Sequence, residues 1–155
     1  MRLLECNNTG KFSLTKDFVG DNVPQYAILS HTWGVDTEEV TFKDLIEGTG
    51  KRKAGYEKVR FCGEQAKRDG LQYFWVDTCC IDKTNSVELS ESINSMFKWY
   101  QAAAICYAYL SDVEPVITGG THSYPSFKDS VWFTRGWTLQ ELLSPSEVCS
   151  TGTPH

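Results

Sequence analysis

The chain of 155 residues contains no uninterrupted apolar run approaching the roughly 20 residues that span a bilayer. Its first residues, Met1-Arg2-Leu3-Leu4-Glu5-Cys6, lack the long hydrophobic segment and small-residue cleavage site of a secretory leader. A cytoplasmic chain without a membrane span is therefore expected. Positive charge is also scarce: 15 Lys+Arg face 20 Asp+Glu, a net charge of -5. No diffuse basic surface is left to attract a phosphate backbone, so no nucleic-acid partner is expected. Metal-ligand spacings are missing as well. There is no Cys-x-x-Cys and no His-x-x-x-His, and the adjacent pair Cys79-Cys80 is too close for the usual chelating loop, so no metal is expected; no resident cofactor is expected either. Of the six cysteines, Cys79, Cys80 and Cys106 lie in aromatic or apolar stretches. A chain of this size buries roughly 70% of its unfolded surface without bridges, and reduced, mostly buried thiols are expected rather than a disulfide framework.

What is present is the material of one globular core. Hydrophobic residues make up 41% and aromatic residues 13%, with 5 Trp, 7 Tyr and 8 Phe, which excludes wholesale disorder, collagen-like repeats and coiled coil. Leu3-Leu4 and Phe12-Ser13-Leu14, separated by Asn7-Asn8-Thr9-Gly10, predict a hairpin at a sheet edge. The unbroken run Tyr26 to Ser30 predicts a buried strand that empties into the loop His31-Thr32-Trp33-Gly34. Tyr56, Val59, Gly63 and Ala66 mark a helix ending near Asp69-Gly70. Leu71 to Val76 reads as a central strand, Asn85 as the cap of a helix carrying Leu89, Ile93, Met96, Phe97 and Tyr100 on one face, and Ala103 to Leu110 as a further strand. Helix, strand, helix, strand in alternation implies a parallel sheet with right-handed crossovers. Residues 111–129 read as a long surface loop, Val131 to Leu143 as a helix stopped by Pro145, Ser146 to Ser150 as a last short strand, and 151–155 as a frayed tail. Gly48-Thr49-Gly50-Lys51 lacks the full spacing and preceding strand of a phosphate loop.

Loops at the carboxyl ends of parallel strands usually bind ligands, and the unusual side chains gather there. His31 in its loop is a donor, a stacking face or a satisfied loop histidine. Trp33 before Gly34 places a large aromatic where the backbone can turn sharply or approach a ligand. Asp77, at the end of the aromatic strand, either orients a ligand hydroxyl or caps the next turn, as does Asp82. A thiol at Cys79 or Cys80 with His31 as base is a further arrangement that the sequence leaves open. Glu141 follows Trp137 by four residues, neighbours on a helix, so an aromatic plane stands beside a carboxylate; the alternative is a solvated helix residue. Arg135 either binds a phosphate or pairs with a nearby acid.

Three blocks, Tyr26-Ala27-Ile28-Leu29-Ser30-His31-Thr32-Trp33-Gly34, Phe74-Trp75-Val76-Asp77-Thr78-Cys79-Cys80-Ile81-Asp82-Lys83 and Arg135-Gly136-Trp137-Thr138-Leu139-Gln140-Glu141-Leu142-Leu143, resemble the signature blocks of the fungal heterokaryon incompatibility (HET) domain, in that order. The resemblance covers nearly the whole chain. It implies a domain over 1–150, with 151–155 as tail, acting as the N-terminal effector module of a larger cell-death protein. HET domains are in turn similar to Toll/interleukin-1 receptor (TIR) domains. That likeness implies an α/β, flavodoxin-like parallel sheet flanked by helices, here with an N-terminal β-hairpin extension. It also implies NAD as substrate, cleaved at the nicotinamide–ribose bond on clustering, with Glu141 as the catalytic acid and Ser30, His31, Trp33, Gly34, Asp77, Arg135 and Trp137 around the pocket. Homo-oligomerisation on activation and contact with other domains or incompatibility partner proteins follow from the same resemblance. A self-associating scaffold and a nucleotide-binding sensor remain the alternatives to an enzyme.

Overall fold

In the computed structural model, residues 1–7, 11–20, 22–113, 116–118, 121–123, 129–134 and 148–152 are described. In chain order they form β1 (Leu4–Cys6), β2 (Phe12–Leu14), β3 (Tyr26–His31), α1 (Phe42–Glu47), α2 (Tyr56–Arg68), β4 (Tyr73–Trp75), α3 (Ser86–Ala102), β5 (Ile105–Leu110), β6 (Val116–Thr118), β7 (Thr121–Ser123) and β8 (Val148–Gly152). Six strands make one sheet in the order β2-β1-β4-β3-β5-β8. β4, β3, β5 and β8 run parallel, while β1 pairs antiparallel with both β4 and β2. The chain is thus an α/β fold on a mixed sheet: a parallel core, with the expected hairpin extending its β4 edge.

β3 lies at the centre, between β4 and β5, and all six of its residues are buried, which is why its apolar run is continuous rather than alternating. Its neighbour β4 shows how the two layers divide. Successive strand side chains point to opposite faces: Phe74 packs edge-on against Phe12 on the α2 side, and Trp75 meets Trp99 of α3 in a T-shaped contact with ring centroids 5.5 Å apart. α2 turns Val59, Phe61, Cys62, Gly63 and Ala66 inward, the spacing that the sequence predicts. α3 starts where Asn85 accepts hydrogen bonds from the backbone N–H groups of Val87 and Glu88, a side-chain cap that satisfies two otherwise orphaned donors. Its Tyr100 hydroxyl donates to the Leu29 carbonyl, tying the helix to the middle of β3.

Three expectations change. The loop expected over 111–129 contains a two-stranded pairing, with Thr118 opposite Thr121; the Gly119-Gly120 dipeptide between two short runs of β-prone residues is the hairpin signal that announces it. The helix expected from Val131 opens as a short 3-10 turn over Val131–Thr134, its first N–H groups held by Asp112 and Ser130; the remainder, 135–143, lies outside the described residues. The last strand is Val148–Gly152, shifted from the expected 146–150, because Thr151 and Gly152 continue the parallel pairing opposite Tyr109 and Leu110. Among the described residues no helix is long and apolar enough to cross a membrane.

The tightest point of the α2 face is Gly63. A Cβ there would lie 2.5 Å from Phe12 Cε1 and 3.0 Å from Phe74 Cζ. Alanine ordinarily stabilises a helix interior by up to about 1 kcal/mol over glycine, but overpacking a filled core costs about 1–3 kcal/mol. Gly63→Ala is therefore expected to lower the unfolding free energy, by about 1 kcal/mol or more. Urea denaturation of the two proteins checks the sign; a more stable variant would show that Phe12, on the edge hairpin, yields freely.

Candidate functional site

β3 and β4 are parallel with Ile28 opposite Trp75, so the residues two further along, Ser30 and Asp77, lie at the same end of the sheet. There the first two sequence blocks meet. His31 Nε2 donates to Asp77 Oδ1 at 2.9 Å, and Trp33 Nε1 donates to Asp77 Oδ2 at 2.8 Å. Both carboxylate oxygens are engaged by side chains from the end of β3 and the loop that follows it, more than forty residues away in sequence. Exposure rises in steps across the unit: His31 is 2% exposed, Asp77 13% and Trp33 47%. The Lys83 ammonium sits over the Trp33 ring, 3.7 Å from its centroid. Burial pushes the Asp77 carboxyl up, but the His31 charge and hydrogen bond, the Lys83 charge and the Trp33 N–H together outweigh it. The group is held below the usual carboxylate range.

The loop that presents Trp33 is fastened on both sides of that residue. Lys58, from α2, donates through Nζ to the Thr32 carbonyl at 2.8 Å and pairs with Glu39 Oε1. The same carboxylate oxygen accepts the Gly34 N–H at 2.6 Å. Burial would raise the Glu39 carboxyl; the Gly34 N–H, Lys58 and the nearby His31 lower it, and the net direction is down. The sequence carries little sign of this pair: Glu39 sits in a polar, acidic stretch and Lys58 on a helix that reads as simply amphipathic. The close approach of Gly55 to the Glu38 carbonyl and to Glu39 Oε2, both 2.7 Å from where its Cβ would fall, is what lets the stretch lie against α2.

Of the residues expected around the pocket, His31, Trp33, Gly34 and Asp77 are thus brought together. Ser30 lies beneath them, fully buried, its hydroxyl accepting the Trp132 indole N–H at 2.7 Å. Arg135, Trp137 and Glu141 fall outside the described residues. Asp82 folds onto its own loop, accepting from the Thr84 N–H and hydroxyl, so it serves the turn. Cys79 is buried, and its thiol is pushed well above the ordinary value by its hydrogen bond with Cys80 and by burial, the wrong direction for a nucleophile. Beside Trp33 a groove of about 580 Å³ opens between α1 and the loop after β4, with Phe42, Ile46, Ile81, Asp82 and Lys83 on its walls. Among the described residues no group of three or more His, Cys, Asp or Glu is placed to hold a metal ion.

Fold and site together define an α/β domain with a hydrogen-bonded polar unit at the carboxyl ends of adjacent parallel strands, beside a groove of ligand size. The sequence model of the family described as heterokaryon incompatibility protein (HET) matches residues 26–121, which take in the first two blocks. Vegetative incompatibility protein HET-E-1 of Podospora anserina is 56% identical over 151 residues, covering 96% of this chain and 11% of that protein. The chain belongs to the heterokaryon incompatibility (HET) family. It spans about a tenth of the length of the curated relative it matches. No solved structure matches the chain.

Two predictions follow from the carboxylates. Asp77 and Glu39 are both lowered in the folded state from unfolded values of about 3.9 and 4.3. Each contributes stability that is fully present above the unfolded value and lost as pH falls through the folded one. Urea unfolding free energy is expected to hold steady from about pH 7 to 5 and to decline below about pH 4, with Asp77→Asn less stable at neutral pH and flatter in acid. A variant whose acid limb keeps the wild-type slope would remove Asp77 from that role. Lys58→Met leaves Glu39 buried without its cation, and is expected to destabilise the fold by about 3 kcal/mol, at the low end of the cost of breaking a buried pair. Rescue by the double variant Lys58→Met, Glu39→Gln would identify the stranded carboxylate as the cause.

Proposed function

We propose that this HET domain is an effector module of vegetative incompatibility that acts in the cytoplasm and, when clustered, cleaves NAD at the nicotinamide–ribose bond. The observation that carries the reading is the convergence of His31, Trp33 and Asp77, from two separate sequence blocks, into one unit at the carboxyl end of the sheet. Taken in chain order the four parallel strands lie second, first, third, fourth. That is the order of flavodoxin-like sheets, whose ligands bind at the carboxyl ends where the order reverses, and it supports the TIR likeness. Trp132, seated on Ser30 at that end, stands five residues before Trp137 and nine before Glu141.

The chemistry asks little of the protein. The C1′–N1 bond of NAD breaks with its electron pair going to the pyridinium nitrogen, so nicotinamide departs neutral and needs no general acid. Water adds to the oxocarbenium-like ribose and loses a proton, giving ADP-ribose; attack from within the nucleotide gives a cyclic product. Ordinary glycosidases use two carboxylates, whereas here one carboxylate, Glu141, stabilises the developing cation. A single well-aimed group of this kind contributes on the order of 10²–10³ in rate. In this reading Arg135 meets a phosphate and Trp137 lines the pocket.

A second reading has its own support. α3 leaves Ile93 and Phe97, four residues apart, exposed on one face, as a self-associating scaffold would. The deciding measurement is nicotinamide release from NAD by artificially clustered protein, comparing wild type with Glu141→Ala after both are shown to fold. Release by wild type that falls at least about 10²-fold in the variant is the expected result. No release by clustered wild type, with toxicity retained in cells, would favour the scaffold; tight nucleotide binding without product would favour a sensor.

A further inference from the structure

α2 and α3 cover opposite faces of the sheet and turn very different outer surfaces to water. Every exposed residue of α2, Glu57, Arg60, Glu64, Lys67 and Arg68, is charged, and Arg60 pairs within the helix with Glu57 and Glu64. α3 is longer, yet the exposed residues along it include two charges alone, Glu91 and Lys98. Its outer side also shows Ile93 and Phe97, 47% and 46% exposed. A surface helix ordinarily sets charged side chains opposite the apolar stripe that faces the core. Depletion of charge around large apolar groups is instead the composition of an interface. Glu91 and Lys98 stand seven positions apart, about 10 Å along the axis, too far to pair with each other. Among the described residues neither joins an ion pair.

At about 100° of turn per residue, Ile93 and Phe97 run along one flank of this exposed face and Glu91 and Lys98 along the other, with Ser90, Asn94 and Gln101 between them. Both flanking pairs are centred at Asn94–Ser95. A two-fold axis there, at right angles to the helix, lays the α3 of a second copy antiparallel on the first and keeps like flanks together. Ile93 then meets Phe97 of the second copy, Glu91 meets its Lys98, and Asn94 faces its own counterpart, an amide that both donates and accepts. A parallel pairing would set Glu91 against Glu91 and Lys98 against Lys98, and like charges face to face are costly. We infer that the outer face of α3 is a docking surface for a second copy of this chain, with the two helices antiparallel about Asn94. One helix pair buries less than the roughly 1,200 Å² of a standard complex, the class of weak and transient contacts. Such a dimer forms when copies are held at effective concentrations on the order of millimolar and dissolves when they are free. The inference rests on the clustering that the proposed function invokes, but only for its use in the cell; the contact belongs to the folded chain, and NAD plays no part in it.

The test is sedimentation equilibrium of the full chain up to about 1 mM under reducing conditions, with the folding of each variant checked by circular dichroism. Wild type is expected to dimerise, and Phe97→Asp to weaken the dimer at least about tenfold. Glu91→Lys and Lys98→Glu are each expected to weaken it about three- to tenfold, because either one turns both crossed pairs into like charges. The double variant Glu91→Lys, Lys98→Glu is expected to recover the wild-type dimer, and an equimolar mixture of the two single variants to associate more tightly than either alone. Those recoveries also show that the single variants fold. Wild type that stays monomeric throughout, a dimer indifferent to Phe97→Asp, or single charge variants that the double variant does not rescue would each overturn the proposal. So would an equal loss in Glu64→Lys, on the charged face of α2, since that would be an effect of net charge. Failure of NAD cleavage would leave every one of these outcomes unchanged.

Discussion

A strand buried on both faces has no side chain that can turn to water, and β3 is such a strand through its last residue. Tyr26 to Leu29 meet that condition with apolar groups or, for Tyr26, with a hydroxyl that donates to the Trp99 carbonyl. Ser30 and His31 are polar and just as buried, and each must be supplied with a partner or cost the fold its desolvation. Ser30 is met by Trp132, about a hundred residues further along the chain. His31 is met by Asp77, from the next strand over. Once Asp77 is committed to His31, its second oxygen recruits Trp33, and the loop after β3 acquires a fixed course. The polar architecture of the carboxyl end follows from where β3 lies in the sheet.

The same constraint organises the charges. Glu39 and Lys58 are a buried pair whose net worth against apolar replacements is small by general experience. Its use here lies in the groups it also holds, the Thr32 carbonyl and the Gly34 N–H. Those backbone groups sit where neither sheet nor helix supplies partners, and a buried cation and anion satisfy both at once. The loop is thereby tied down without being secondary structure, and Trp33 projects from between two anchored backbone groups. A half-exposed aromatic held by four surrounding groups is a costly arrangement for a surface that binds nothing.

Relatedness and chemistry enter at different levels. The HET family assignment rests on the match over residues 26–121 and on high identity across nearly the whole chain; it carries the module, not a reaction. The proposed reaction would depend on a carboxylate whose surroundings are polar, anion-tolerant and partly dry. The described part of the site supplies one such environment already: Asp77 and Glu39 both remain ionised against strong burial because cations and N–H donors face them.

Hydrophobic patterning determined α2 and α3 by their spacing and β3 and β5 by their unbroken apolar runs, because each is long enough, or buried enough, to outweigh local alternatives. Asn85 marked the start of α3 by the same local logic, since a cap is decided by a residue and its next three neighbours. His31, Trp33, Gly34 and Asp77 were legible as candidates because polar and aromatic residues directly after buried strands fall where α/β sheets bind ligands. Their pairing was not legible: that His31 and Trp33 share the two oxygens of one carboxylate depends on β3 and β4 being parallel neighbours in one register. Glu39 and Lys58 were invisible, since an acid in an acidic stretch and a lysine on an amphipathic helix look like solvated surface until α2 packs across the loop. The sequence by itself determined the long helices α2 and α3 and the buried strands β3, β4 and β5, a matter of spacing along the chain. Only the tertiary structure decided which charges are buried and paired, because burial is set by neighbours distant in sequence.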